Sequence, residues 1–132
     1  MGGFLYLSTM NPNFLGCYAE HLFAAECTRR GYIISMPLLA SSTYDSILDI
    51  NGRLLKIQVK STNKIPMEHR KSVALPLHNN DNKYTKKKID FFCIYSIYFG
   101  GFFNFPNKGD MKSIRLSLTG KNSIYFNNFV FL

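Results

Sequence analysis

Apolar and polar positions change their period three times along the chain. From residue 11 to 30, Leu15, Tyr18, Leu22 and Ala25 recur every three or four positions, which predicts a helix with a core-facing stripe. Asn11-Pro12 supplies an N-cap and a first-turn proline, and Arg29-Arg30-Gly31 supplies terminal cations and a glycine stop. A second stripe, Gly16, Glu20, Phe23, Ala24 and Cys27, is small or apolar except for one carboxylate. The helix is therefore expected to be covered on two sides. Tyr32–Ser35 reads as a short strand, and two strand-like runs then flank Asn51-Gly52, the dipeptide of a two-residue type I′ hairpin. That turn fixes the register: Ile50 faces Arg53, Asp49 faces Leu54, Ile47 faces Lys56, and Asp45 faces Gln58. Tyr44, Ser46, Leu48 and Ile50 with Leu55, Ile57 and Val59 form the apolar side, expected to pack on the core against the helix.

Residues 61–88 are polar, and Pro66, Pro76 and Asn79-Asn80 interrupt any long element; they are read as irregular. Asp90–Tyr98 is an aromatic and β-branched run expected to be a buried strand. Gly101–Pro106 and the alternating Ser113–Leu118 predict further strands before an aromatic tail. There is no internal repeat, linker or low-complexity segment. A length of 132 residues fits one domain over 1–132, and 46% apolar residues are enough for a packed core.

Sixteen Lys and Arg oppose eight Asp and Glu, a formal charge of +8. Lys56 to Lys88 holds nine cations and two acids, so +7 of that excess lies in a quarter of the chain. Such concentration favours a polyanionic partner. A basic membrane-surface protein is the weaker reading, because no amphipathic basic helix is present. Residues 1–19 lack a signal peptide's basic start, and 91–107 are too short and too interrupted to span a bilayer, so a cytoplasmic location is expected. Cys17, Cys27 and Cys93 form no CxxC pair, and the three histidines are scattered; zinc spacing is absent, and the cysteines read as small buried hydrophobes.

The predicted register sets the Asp45 carboxylate beside the Gln58 amide, and Lys60 projects from the same side two residues on. Oxygen donors beside an ammonium suit a hard divalent cation and a phosphate ester. Taken alone, the same trio also reads as the solvated face of an amphipathic hairpin. Glu20 adds a carboxylate amid Gly16, Phe23, Ala24 and Cys27, where it needs a partner, a metal or solvent. Glu26, with Arg29 and Arg30 at i+3 and i+4, reads as a surface pair.

Gly16-x-x-Ala19-Glu20 on an early helix, Tyr44-Asp45, and Gln58-Val59-Lys60 after a glycine turn together resemble the PD-(D/E)XK nuclease superfamily. The glutamine form is most similar to the PD-(D/Q)XK homing endonucleases of cyanobacterial group I introns. Lys88-Ile89-Asp90-Phe91-Phe92 and Phe103-Asn104-Phe105-Pro106 resemble the later strands of that group, so the likeness spans about residues 11–118. The resemblance implies an α/β restriction-endonuclease-like fold, a mixed central sheet with an αβββαβ-type core. It implies Mg²⁺- or Mn²⁺-dependent cleavage of double-stranded DNA by a homo-oligomer, dimer or tetramer, without a membrane. Asp45 would be the principal metal ligand, Gln58 and the Val59 carbonyl further ligands, Lys60 the group that positions water, and Glu20 the outer acid. Lys64, Arg70, Lys71, Lys83, Lys86, Lys87 and Lys88 would grip phosphates. The alternative is a non-cleaving nucleic-acid-binding or inhibitor module on the same fold.

Overall fold

The computed structural model describes residues 10–77 and 85–131. Helix α1 (Pro12–Arg29) begins where Asn11 accepts a hydrogen bond from the Asn13 N–H at 2.8 Å, with Pro12 needing no donor partner. It ends on Gly31, whose φ of 83° lets the Gly31 and Tyr32 amides reach back to the Thr28 and Cys27 carbonyls. Glu26 pairs with Arg29 at 2.8 Å and Arg30 at 2.9 Å, the expected surface ion pair.

The buried row of α1 is Leu15, Ala19, Phe23 and Cys27. This corrects the expected stripe. Tyr18 and Ala25 are exposed and Leu22 is only partly buried. A strict i, i+4 row centred on small Ala19 lets the helix lie close to the sheet, and Phe23 fills the space beyond it. Gly16, Glu20 and Ala24 flank this row and are half-buried.

Five strands form the central sheet in the order β1-β2-β3-β5-β6: β1 (Ile33–Ser35), β2 (Ser46–Ile50), β3 (Arg53–Thr62), β5 (Phe91–Ser96) and β6 (Gly101–Pro106). The β3/β5 pair is parallel and the other pairs are antiparallel, so the sheet is mixed. The hairpin turn takes the predicted form, with φ of 54° at Asn51 and 90° at Gly52, and the ladder runs from Ile50↔Arg53 to Ser46↔Ile57.

Two strands lie outside that sheet. β4 (Ser72–Pro76) pairs antiparallel with β7 (Ser113–Ser117) as a separate ribbon. The segment read as irregular thus contains a strand: Val73 and Leu77 are buried while Ser72, Ala74 and Pro76 are not. Where the αβββαβ-type core expects a helix, the described residues of the crossover from β3 to β5 carry the strand β4 and a single turn in which the Thr85 carbonyl accepts from the Lys88 and Ile89 amides. Asn79-Asn80, and Lys83 with them, fall outside the described residues.

Alternation along β3 and β5 assigns the two sheet faces. Leu55, Ile57, Val59, Phe91, Cys93 and Tyr95 pack with α1 and with Phe129 and Phe131 of the C-terminal segment. Phe92, Ile94, Phe103 and Phe105 pack on the other side with Val73, Ile114 and Leu116 of the ribbon. The chain end passes from one face to the other around β6, after a 3₁₀ turn (Lys121–Tyr125). There the Asn127 amide group crowds Gly101 so closely that a Cβ would clash, while Asn127 Oδ1 accepts from the Phe102 N–H at 2.9 Å. The β6 edge is therefore covered rather than open. Cys27 and Cys93 are buried as expected; Cys17 is exposed, with its Sγ 3.6 Å from His21 Nδ1. No described helix is long and apolar enough to cross a membrane.

Candidate active site

Asp45 stands where the chain enters β2, and its pairing differs from the expected one. The regular ladder stops at Ser46↔Ile57. The Asp45 N–H donates to the Ile57 carbonyl at 2.8 Å, one residue short of a Gln58 pairing. An extra residue on one strand is the signature of a bulge, which re-aims side chains next to it. Tyr44, placed by simple alternation on the helix side, packs instead with the ribbon-side cluster. The Asp45 carboxylate accepts from the Val59 N–H at 2.8 Å. Asp45 is thus tied to the backbone of β3 at the centre of Gln58-Val59-Lys60.

Glu20 comes to this point from α1. Its carboxyl is pushed above the usual carboxylate range, first by burial and then by the negative charge of Asp45, with His21 opposing. Asp45 is pushed up as well, by burial, against the lowering effect of the Val59 N–H and of Lys60. Glu20 interacts with Asp45, and Asp45 with Lys60. Asp45 is thus within electrostatic reach of both Glu20 and Lys60.

Gln58 and Lys60 are half-buried and alternate with buried Ile57 and Val59. They emerge on the ribbon side of β3, beside Phe92 and Ile94 of β5. Val59 turns its side chain to the helix side, leaving its backbone as its contribution here. The site is assembled through the sheet: Glu20 enters from the helix face, Lys60 and Gln58 lie on the other, and the irregular Asp45 connects them.

The donor chemistry fits a hard divalent cation. Burial disfavours the charge of both carboxylates, the Asp45 charge adds to the burden on Glu20, and the Gln58 amide lies beside the Val59 N–H that Asp45 accepts from. A divalent cation relieves that burden and prefers such oxygens. Among the described residues no three His, Cys, Asp or Glu side chains converge, so such a cation would rely on Gln58 or a backbone carbonyl beyond Glu20 and Asp45.

The basic residues divide into two groups. Lys64 follows β3 and donates to the Ala74 carbonyl of the ribbon at 3.3 Å; it, Arg70 and Lys71 are exposed on that side. Lys86, Lys87 and Lys88 are exposed near the start of β3, where the Lys56 ammonium donates to the Lys87 carbonyl at 2.7 Å. Sequence reasoning passed over Arg115, Ser72 and Lys121, which lie with the first group around the ribbon. The alternation of Ser72, Ala74 and Pro76 with Val73, Leu75 and Leu77 was the signal that could have revealed β4.

Comparisons with known proteins place this fold in a family. The PD-(D/E)XK endonuclease family model matches residues 10–126, and the chain belongs to that family. Among solved structures it is similar to the bacterial homing endonuclease I-Ssp6803I, with 24% identity, a TM-score of 0.70, and coverage of 89% of this chain and 88% of that one. It also resembles Hjc, a Holliday junction resolvase from the archaeal hyperthermophile Archaeoglobus fulgidus, with 13% identity, a TM-score of 0.53, and coverage of 83% and 86%. A search of curated proteins finds no match. The expected restriction-endonuclease-like fold with its mixed central sheet is thereby established.

Proposed function

We propose that this chain, a single domain over 1–132, is a divalent-metal-dependent, site-specific endonuclease acting on double-stranded DNA. The observation that carries the proposal is the Asp45 carboxylate held by the Val59 N–H between Gln58 and Lys60, near enough for Lys60 to act on its charge and for it to act on Glu20. Membership of an endonuclease family supplies the reaction class. A +8 chain with its cations on and beside the site's face supplies affinity for a polyanion.

Asp45, Gln58 and the Val59 carbonyl would hold Mg²⁺ or Mn²⁺, with Glu20 as the outer acid. The bound cation would offset charge developing on the phosphoryl oxygens. The Val59 N–H holds the Asp45 carboxylate in a fixed orientation, so ligation does not require freezing a free side chain. Lys60 orients the attacking water and offsets charge that appears during attack. Lys64, Arg70, Lys71 and the Lys86–Lys88 run hold the backbone without reading its sequence, and Lys83 belongs to the same segment. Cutting both strands of a duplex calls for a two-fold assembly, a dimer or tetramer.

Replacement of an acid by Gln58 gives the non-cleaving module one specific support: the site has one negative charge fewer for a cation. Conversion of supercoiled plasmid to nicked or linear form, with Mg²⁺ or Mn²⁺ and then with chelator, decides between them. Metal-dependent conversion by wild type and none by Asp45→Asn is the expected result. Equal conversion by both proteins would show that the cluster is not the active site. No conversion by wild type on plasmid or on branched DNA would favour the binding module.

A further inference from the structure

The β4–β7 ribbon has an inner face packed on the sheet and an outer face on which Ala74, Pro76, Ser113 and Arg115 are exposed, while Ser117 at one end is buried. Val73, Ile114 and Leu116 point inward. The outer face carries Ser72, Ala74 and Pro76 on one strand and Ser113 and Arg115 on the other, with Ala74 directly paired to Arg115. Among these exposed side chains only Arg115 is long. Arg115 is exposed and donates through Nη1 to Ser72 Oγ at 2.8 Å, which holds its guanidinium across the ribbon and leaves its other donors uncommitted by that bond.

Three shallow depressions surround this arginine, and all three include it in their walls. The cations lining them are Lys64, Arg70, Lys71, Lys108, Arg115 and Lys121, and no carboxylate is among the lining residues. Glu68 and Asp110, the nearest acids in sequence, are not part of the walls. Two strands about 5 Å apart with short outward side chains fit a major groove about 12 Å wide, whose walls are phosphate rows that the flanking cations would meet.

The ribbon is also anchored to the candidate site. Lys64 lies four residues beyond Lys60, and its ammonium reaches the Ala74 carbonyl. β3 ends at Thr62, whose hydroxyl accepts from the Lys64 N–H at 3.1 Å, so the chain turns toward the ribbon within four residues of Lys60.

We infer that the outer face of the β4–β7 ribbon enters the major groove of duplex DNA and that Arg115, steadied by Ser72, reads a guanine edge there. This rests on the reading of the chain as a protein that acts on DNA. Arginine forks match guanine O6 and N7, whereas a lysine supplies the same charge without the fork. Ser72 is a positioning residue, not a reader.

The test selects bound molecules from a pool of duplexes with a randomised 20-base-pair core, using the full chain in chelator so that turnover plays no part. Wild type should enrich a motif containing a guanine that Arg115→Lys no longer selects, with that preference falling about tenfold or more. The salt dependence of binding should be unchanged in Arg115→Lys. Ser72→Ala should weaken the same guanine preference less, and Ser113→Glu should abolish enrichment by placing a carboxylate in the groove. A far-ultraviolet spectrum and melting midpoint like wild type for each variant would confirm that the ribbon is intact. The same motif from wild type and Arg115→Lys, or no motif from wild type, would overturn the inference. So would equal, Arg115-dependent binding to double-stranded RNA, whose major groove is too deep and narrow for a ribbon, or to polyglutamate, which stands in for an acidic protein. Plasmid cleavage in Mg²⁺ is scored separately. Cleavage without an Arg115-dependent motif would remove the ribbon's role and leave the active site standing, and the reverse outcome would do the opposite.

Discussion

The two faces of the central sheet differ in what they ask of their residues. The α1 face is closed by aromatic packing: Phe23 meets Phe102 edge-on at 5.6 Å and lies 6.1 Å from Phe129, and Arg30 covers the Phe129 ring at 3.9 Å. Polar groups enter this face at its margin, as Glu20 does, and burial disfavours their charge. The ribbon face is apolar underneath but carries Gln58, Lys60 and the cations around Arg115. One face is closed by packing, and the other is the face proposed to meet the partner. Asp45, at the interruption between them, draws its orientation from the scaffold and delivers its charge to the site.

Phe23→Ala should produce the largest effect, and on stability alone. Phe23 is fully buried against the rings of Phe102, Phe129 and Phe131, so its loss should cost about 3–5 kcal/mol in a denaturant titration. A change under about 1 kcal/mol would mean that the helix face is not the close-packed layer described here.

Turn substitution should have a smaller effect of the same kind. Gly52 holds φ at 90°, so Gly52→Ala should lower stability by at least about 1 kcal/mol through the left-handed backbone. DNA binding by the folded protein should not change. Lost affinity at unchanged fold would mean that the hairpin tip belongs to the partner face.

Acidity distinguishes the margin from the interior. Glu20 and Asp45 both have carboxyls raised above their unfolded values. Each therefore favours folding fully only below its unfolded value, and that contribution is lost as pH rises through the raised folded one. At pH 7.5 without metal, Asp45→Asn should melt above wild type, since asparagine can still accept from the Val59 N–H without carrying charge. The gap should close as pH falls toward 4. Mg²⁺ should raise the wild-type midpoint more at pH 7.5 than at pH 5, because protons compete for the same oxygens. A gap that widens on acidification would contradict the burial that disfavours the Asp45 charge.

The smallest effect concerns the two groups of cations. Neutralising Lys86, Lys87 and Lys88 should reduce the slope of log K against log salt by up to about 2.7, at about 0.9 for each phosphate contact. An unchanged slope would leave phosphate contact to the ribbon side alone and assign this run to solvent.

Much of this was legible in the sequence, for physical reasons that also explain the misses. Asn51-Gly52 can hardly be other than a tight turn, and a tight turn fixes five successive pairs. That register fails at Asp45 because a bulge adds a residue that no periodicity announces, which is why Tyr44 went to the wrong face. On α1, Tyr18 and Ala25 fit an apolar count as well as Ala19 and Cys27 do; which row is buried depends on how near the sheet the helix must lie. β4 was hidden by flanking prolines and cations, although its own alternation is regular, and its pairing with a strand about forty residues later is not a local property. Glu20, Asp45 and Lys60 were found because a carboxylate among apolar neighbours and a polar trio at strand spacing each need a reason. Arg115 gave no such signal until the ribbon's outer face was known.

The most direct test of the central claim measures cleavage and affinity on one duplex for wild type and Lys60→Met. Methionine keeps most of the aliphatic stem and deletes the ammonium. Metal-dependent cleavage should fall on the order of 10²-fold or more if, as proposed, Lys60 offsets charge that develops during attack. Affinity in chelator should weaken by no more than one phosphate contact supplies. Cleavage by Lys60→Met at the wild-type rate, with the duplex bound equally well, would contradict the assignment of the Glu20–Asp45–Lys60 cluster as the active site.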